Sequence, residues 1–107
     1  DDYDRLFDNI NNYILEDDSF FLYYSSYSFN SDLKRFIVAY DLDREFLYID
    51  NFSIAQRLIK DFSNDHFSIS DQDILVYFSN GSIVDVVSCS FMDYDDFFVY
   101  FSKVGIL

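Results

Sequence analysis

Hydrophobic and polar positions are patterned most clearly over residues 74–91. There two runs of β-branched and aromatic residues, Ile74-Leu75-Val76-Tyr77-Phe78 and Ile83-Val84-Asp85-Val86-Val87, flank Asn80-Gly81. Asn-Gly is the dipeptide that best tolerates the two positive φ angles of a type I′ turn, so the stretch predicts a β-hairpin. That turn sets Phe78 opposite Ile83, Val76 opposite Asp85 and Ile74 opposite Val87 on one face, with Tyr77 and Val84, then Leu75 and Val86, on the other. Both faces are apolar, which places the hairpin inside a sheet rather than at a wet edge.

Residues Tyr3, Leu6, Phe7, Ile10, Tyr13 and Ile14 recur at helical spacing and predict an amphipathic helix over 3–16. Asp1, Asp2 and Asp4 favour the positive end of its dipole, and Glu16, Asp17 and Asp18 oppose the other end and stop it. Residues 20–29 read as a strand, with Phe21, Tyr23, Tyr27 and Phe29 on one face and Ser26 and Ser28 on the other. Alternation over 34–40 and again over 45–49 predicts a second hairpin around a polar turn. Ser53-Ile54-Ala55-Gln56 fits a capping box that opens a second helix, with Ile54, Ala55, Leu58, Ile59 and Phe62 buried and Asn64 ending it. Residues 66–70 form a short alternating piece, with 67–69 as an optional strand, 92–96 an acidic loop, and 97–104 a final strand. The expected fold is α+β: a mostly antiparallel sheet of about six strands with two amphipathic helices on one face, in the order α-β-β-β-α-β-β-β. The order is also that of two αβββ units, but no residue-level repeat supports a duplication. With no proline and glycine only at 81 and 105, no linker divides residues 1–107, which read as a single compact acidic domain.

Composition narrows the class. Half the residues are hydrophobic and 22% are aromatic, which excludes an acidic disordered tail. A lone cysteine, Cys89, permits no internal disulfide, so the chain reads as intracellular or at least redox-indifferent. The longest uncharged run, 19–31, is too short and too serine-rich to span a membrane, and no signal-peptide pattern is present, so the cytoplasm is the expected compartment. The net charge of −13 changes the picture most. A composition rich in Phe, Tyr, Ile, Asn and Asp suits an AT-rich coding sequence, yet such a bias would also bring lysines, and only Lys34, Lys60 and Lys103 occur. Eighteen of the acids are Asp and two are Glu. Asp favours caps and turns, so the charge is expected on loops and element ends. Such a surface repels nucleic acid and anionic lipid and attracts basic partners.

Candidate chemistry is sparse. His66 is the sole histidine and reads as a surface or capping residue, and Cys89 as a small buried one, since this chain offers little of the positive setting a reactive thiolate needs. Asp85 breaks an apolar face and must be paired, protonated or partly exposed. Asp41-Leu42-Asp43-Arg44-Glu45 starts like an EF-hand loop but has Phe46 at the glycine position and no closing glutamate. Asp71-Gln72-Asp73 and Asp93-Tyr94-Asp95-Asp96 read as solvated loops rather than metal sites. Asp32-Leu33-Lys34 matches a nuclease fragment only over three residues, and Asn51-Phe52-Ser53 and Asn80-Gly81-Ser82 are formal sequons of a serine-rich chain. No phosphate loop, paired histidines or Ser-His-Asp set occurs. The expectation is a protein without catalysis, cofactor or resident metal.

The distribution of acids remains. On an extended segment carboxylates at i and i+2 lie roughly 6 to 7 Å apart, close to the spacing of phosphates along one nucleic-acid strand. Asp41, Asp43 and Glu45, then Asp71 and Asp73, then Asp93 and Asp95 have this step, and Asp96 adds to the last group. Tyrosines and Phe46 stand among them, with Tyr48 and Tyr94 as candidate anchors at an interface. In size and charge the chain resembles the small acidic anti-defence proteins of phages, the anti-CRISPR and anti-restriction DNA mimics. The resemblance is compositional and rests on no motif, so it transfers no site residues. It implies a stoichiometric inhibitor of a CRISPR effector or other nuclease in a host bacterial cell, binding neither nucleic acid nor membrane directly. The partner-binding residues expected are Asp41, Asp43, Glu45, Tyr48, Asp71, Asp73, Asp93, Tyr94, Asp95 and Asp96. Two alternatives stay open: an immunity or antitoxin protein that neutralises a toxin nuclease, and a homodimer formed through an exposed edge at 20–29.

Overall fold

A computed structural model of the chain describes residues 2–16, 19–25, 29–63, 67, 69 and 72–107, the Asp2 side chain excepted. Asp1, Asp17, Asp18, Ser26, Tyr27, Ser28, Asn64, Asp65, His66, Ser68, Ser70 and Asp71 lie outside the described residues, and with them the helix end at Asn64 and the middle of the optional strand at 67–69, whose Phe67 and Ile69 belong to no element. The described elements are α1 (Asp2–Glu16), β1 (Ser19–Tyr24), α2 (Ser31–Ala39), a 3-10 turn (Asp43–Glu45), β2 (Phe46–Ile49), α3 (Phe52–Phe62), β3 (Ile74–Ser79), β4 (Ser82–Ser88) and α4 (Tyr94–Lys103).

The fold is α+β, but the expected sheet of six antiparallel strands with two helices is overturned. Among the described residues there are four helices and one mixed sheet of four strands, ordered β2-β1-β3-β4. Segments 34–40 and 97–104, expected as strands, are helical. Leu33, Phe36 and Ile37 are spaced to line one side of a helix, as are Phe97, Tyr100 and Phe101, and all six are buried. Each helix also has an N-cap. The Asn30 side chain accepts from the backbone N–H groups of Asp32 and Leu33 at 2.9 and 3.1 Å, and Asp93 and Asp96 form a reciprocal capping box. Both helices end in a Schellman motif. Leu42 N–H bonds the carbonyl of Ile37 with Asp41 at φ 55°, and Ile106 N–H bonds that of Phe101 with Gly105 at φ 86°.

Because α2 separates β1 from β2, the two strands pair in parallel, Phe21 beside Phe46 and Tyr24 beside Ile49, and the expected second hairpin does not form. β1 is bonded on its other side to β3, so it has no open edge, and the homodimer proposed through 20–29 loses its physical basis. The capping box at Ser53 and Gln56 is likewise replaced: Asn51 caps α3 by accepting from Ile54 N–H at 3.1 Å.

Asn80 and Gly81 both adopt positive φ, 53° and 85°, and the β3–β4 hairpin forms as expected next to the turn, with Phe78 opposite Ile83. Beyond it a bulge between Tyr77 and Phe78 shifts the register by one residue, so Asp85 faces Tyr77 rather than Val76. The extra residue, Val84, is 54% exposed, and β4 is an edge strand instead of an interior one. The shift turns Asp85 toward α4, where the Tyr100 hydroxyl donates to its Oδ2 at 3.0 Å while Oδ1 accepts the N–H of Val86 at 3.0 Å. These bonds answer the polar break in the strand with a phenol and a backbone donor.

Helices cover both faces of the sheet. Phe21, Tyr23, Leu75 and Tyr77 pack with Leu33, Phe36, Phe97 and Phe101 of α2 and α4. The alternate residues Phe20, Leu22, Tyr24, Val76 and Phe78 pack with Ile10, Leu58 and Ile59 of α1 and α3. Burial on both faces explains the unbroken apolar run of β1. Phe21 sits among Phe46, Tyr77 and Phe101, with ring centroids 5.2, 4.9 and 5.0 Å away. Truncating such a ring to alanine costs about 3–5 kcal/mol. Among the described residues no helix is long and apolar enough to cross a membrane.

Candidate functional site

One end of the sheet carries a connected polar network. β1 and β2 finish there, β3 begins and β4 ends there, as the pairs Tyr24 with Ile74 and Ile74 with Ser88 require. The Asn30 side-chain amide donates to the carbonyls of Cys89 and Met92 at 2.9 and 3.2 Å, which brings the starts of α2 and α4 to the same end. Tyr23 reaches out from the core to join them. Its hydroxyl donates to Asp73 Oδ2 at 2.5 Å and accepts the Asn30 N–H at 2.9 Å, and burial first, then the Asp73 bond, holds the phenol well above its usual pKa. Asp73 is held further by its own N–H donating to Ser90 Oγ at 3.1 Å.

Over this network lies a concavity of about 470 Å³ whose lining includes the carboxylates of Asp32, Asp73 and Asp93 together with Phe29 and Phe91. Phe91 is 96% exposed. Asp95 and Asp96 continue the acidic rim in the first turn of α4, both exposed. Part of this charge is already engaged: Asp96 N–H donates to Asp93 Oδ1 at 2.9 Å and Asp93 N–H to Asp96 Oδ2 at 3.0 Å, while Arg35 pairs with Asp32 at 3.0 Å. Arg35 also lies 5.2 Å from the Tyr94 ring, and Tyr94 packs on Phe36, so Tyr94 is half-buried support rather than an open anchor.

The expected site residues therefore separate. Asp73, Asp93, Tyr94, Asp95 and Asp96 come together at this end. Asp41, Asp43 and Glu45 precede β2, which runs parallel to β1, so they belong to the opposite end. Asp71 lies outside the described residues. The strand-like step expected for the acids is absent in the two groups that are fully described, because Asp41 sits in a helix-ending turn, Asp43 and Glu45 in a 3-10 turn, and Asp95 and Asp96 in a helix. Glu45 Oε2 is buried with no hydrogen-bond partner among the described residues. Tyr48 lies on the edge strand, 44% exposed, and its hydroxyl donates to Asp43 at 3.3 Å. Partial burial and the Asp43 charge push that phenol up to about 12.

Three contributors were not anticipated. Phe29 closes the expected strand at 20–29, and Phe91 and Asn30 belong to no expected site; the signal for Asn30 is its place three residues ahead of Leu33, the first buried residue of α2. Cys89 is buried, and desolvation, then the nearby Asp73 charge, push its thiol up to about 12, which keeps it protonated and unreactive. Among the described residues no three His, Cys, Asp or Glu side chains converge to hold a metal. Comparison with protein-family models, curated proteins and solved structures gives no match, so a function has to be argued from this geometry alone.

Proposed function

We propose that the protein is a non-catalytic inhibitor that binds a basic, nucleic-acid-handling protein, with a CRISPR effector or another defence nuclease in a bacterial cytoplasm as the partner class. The observation that carries this is the exposed Phe91 beside the carboxylates of Asp32, Asp73 and Asp93, on a chain of net charge −13. An aromatic side chain ringed by acids suits a groove lined by Arg and Lys: the ring supplies desolvated contact area, and the acids steer encounter and replace phosphate contacts. Mimicry here rests on the density of charge at the end of the sheet and not on a phosphate-like repeat. A toxin nuclease would be engaged through the same surface, so an immunity protein works by the same mechanism on a different partner.

The test is affinity capture of purified RNA-guided effectors and nuclease toxins between about 0.1 and 1 M salt, with duplex DNA as competitor. Expected is capture that weakens with salt and is displaced by DNA. Absence of capture across both panels at low salt would sink the proposal and leave the charge as a solubility feature.

A further inference from the structure

At the carboxyl ends of the parallel strands β1 and β2, the position where open α/β sheets take ligands, lies an open cleft of about 310 Å³ lined by Tyr23, Ser25, Phe29, Tyr48, Ile49 and Asp50. Phe29 is the wall it shares with the acidic concavity. Its rings adjoin at a tilt, Tyr23 to Phe29 at 4.7 Å and 59° and Phe29 to Tyr48 at 5.4 Å and 52°, with Tyr23 buried and Phe29 and Tyr48 partly exposed. Both tyrosines donate their hydroxyls to carboxylates, Tyr23 to Asp73 and Tyr48 to Asp43, which enriches the ring faces in electron density. Asp50 adds an exposed carboxylate at the rim.

The fold shows twice what this chemistry attracts. Arg57 lies 3.7 Å from the centroid of Tyr3, whose hydroxyl donates to Asp61. Arg35 lies over Tyr94 while pairing with Asp32. In each case a guanidinium covers a tyrosine face with a carboxylate beside it. Among the described residues no cation is placed over Tyr23, Phe29 or Tyr48. Tyr48 and Asp50 also border a separate depression that contains Arg5, on the side of α1.

We propose that the cleft of Phe29, Tyr48 and Asp50 binds the guanidinium of an arginine side chain presented by the protein partner. The planar head stacks on the exposed face of the Tyr48 ring, with Phe29 beside it, and donates to Asp50, and Phe91 and the acids of the neighbouring concavity engage the partner surface around it. The biological source of the arginine rests on the function proposed above, whereas the chemistry of the cleft does not.

The experiment is a titration of the whole protein with N-acetyl-arginine methylamide, followed by the aromatic and amide NMR signals, with N-acetyl-citrulline methylamide as the neutral probe of the same shape. Expected is saturable movement of the Phe29 and Tyr48 signals with roughly millimolar affinity for arginine and none for citrulline. Tyr48→Leu and Asp50→Asn should each weaken it about tenfold, and Asp8→Asn, at an exposed position of α1 that lines neither the cleft nor the acidic concavity, should leave it unchanged. Equal response to citrulline, or unsaturating shifts spread over all acidic positions, would overturn the proposal. If Tyr48→Leu does not fold, Asp50→Asn, at an exposed loop position, carries the test. Binding of the arginine probe with no capture of a basic protein would remove the proposed function and keep the cleft. A captured partner whose affinity is unchanged by both substitutions would do the reverse.

Discussion

Replacing Tyr23 by phenylalanine removes one oxygen atom from the point where the core meets the candidate surface. The ring is buried and stays packed in the variant, so the loss is confined to two hydrogen bonds: donation to Asp73 at 2.5 Å and acceptance from Asn30 N–H at 2.9 Å. A bond to a carboxylate contributes about 1.5–3 kcal/mol, and a stranded N–H costs about 1 kcal/mol or more. Both Asp73 and Asn30 are half-buried, so water replaces part of the loss and the lower sum applies, about 2–3 kcal/mol. At about 4 °C per kcal/mol for a domain of this size, the melting temperature should fall by about 10 °C. Tyr48→Phe is the internal reference, because its bond to Asp43 is 3.3 Å long and exposed and should contribute under about 0.5 kcal/mol. Urea unfolding of both variants at pH 7 measures the difference directly. Equal midpoints for Tyr23→Phe and Tyr48→Phe would refute the claim that the Tyr23, Asp73 and Asn30 network holds this end of the sheet together.

Stability should fall in alkali. Tyr3, Tyr23, Tyr100 and Cys89 have folded pKa values raised by burial and by neighbouring carboxylates. Their contribution is therefore complete below the unfolded values near 9 to 10 and is lost as pH rises through the folded ones, by up to about 1.4 kcal/mol per pH unit for each group that ionises only on unfolding. Urea midpoints that stay flat from pH 8 to 11 would contradict this. Asp41→Asn should raise stability by about 0.5 kcal/mol, since it keeps a residue that tolerates φ 55° and removes a negative charge from the carbonyl end of α2. A lower melting temperature would show that the carboxylate has a stabilising role there. Asp93→Ala should cost about 1 kcal/mol through loss of the α4 capping box, whereas Asp95→Asn, which removes one exposed first-turn charge and leaves the cap intact, should cost less than about 0.5 kcal/mol. Thermal melts of the two variants separate capping charge from surface charge. Cys89 should resist thiol reagents in the native protein and react within minutes in 8 M urea, and rapid native labelling would count against its burial.

The sequence carried the hairpin turn because Asn80-Gly81 has a steric requirement that few other pairs meet. It did not carry the bulge, since nothing in Ile83-Val84-Asp85-Val86 marks which residue is to be left unpaired. The largest error came from α2 and α4. Phe36-Ile37-Val38 and Phe97-Phe98-Val99 have strand-like composition, and their alternation fits a strand as well as their spacing fits a helix; the caps at Asn30 and Asp93 were the deciding signal. Reading 34–40 as a strand then made β2 the second arm of a hairpin, and the parallel pairing of β1 with β2 became invisible. The acids were expected on loops and element ends, and most of the described ones lie there, Asp8 inside α1 and Asp85 inside β4 being exceptions, but which of them the fold uses was not legible. Tyr3 with Asp61 and Tyr23 with Asp73 are separated by 58 and 50 positions, so only the tertiary structure brings them together.

The most direct test of the proposed inhibition compares the two ends of the sheet on one captured partner. Its dissociation constant would be measured by fluorescence anisotropy for the wild-type protein, for Asp32→Lys with Asp95→Lys, and for Asp41→Lys with Asp43→Lys. The first pair should weaken binding by roughly tenfold per reversed charge and flatten its salt dependence, and the second should have little effect. Unchanged affinity with Asp32 and Asp95 reversed, or a loss confined to Asp41 and Asp43, would contradict the assignment of the binding surface to the end that carries Phe29 and Phe91.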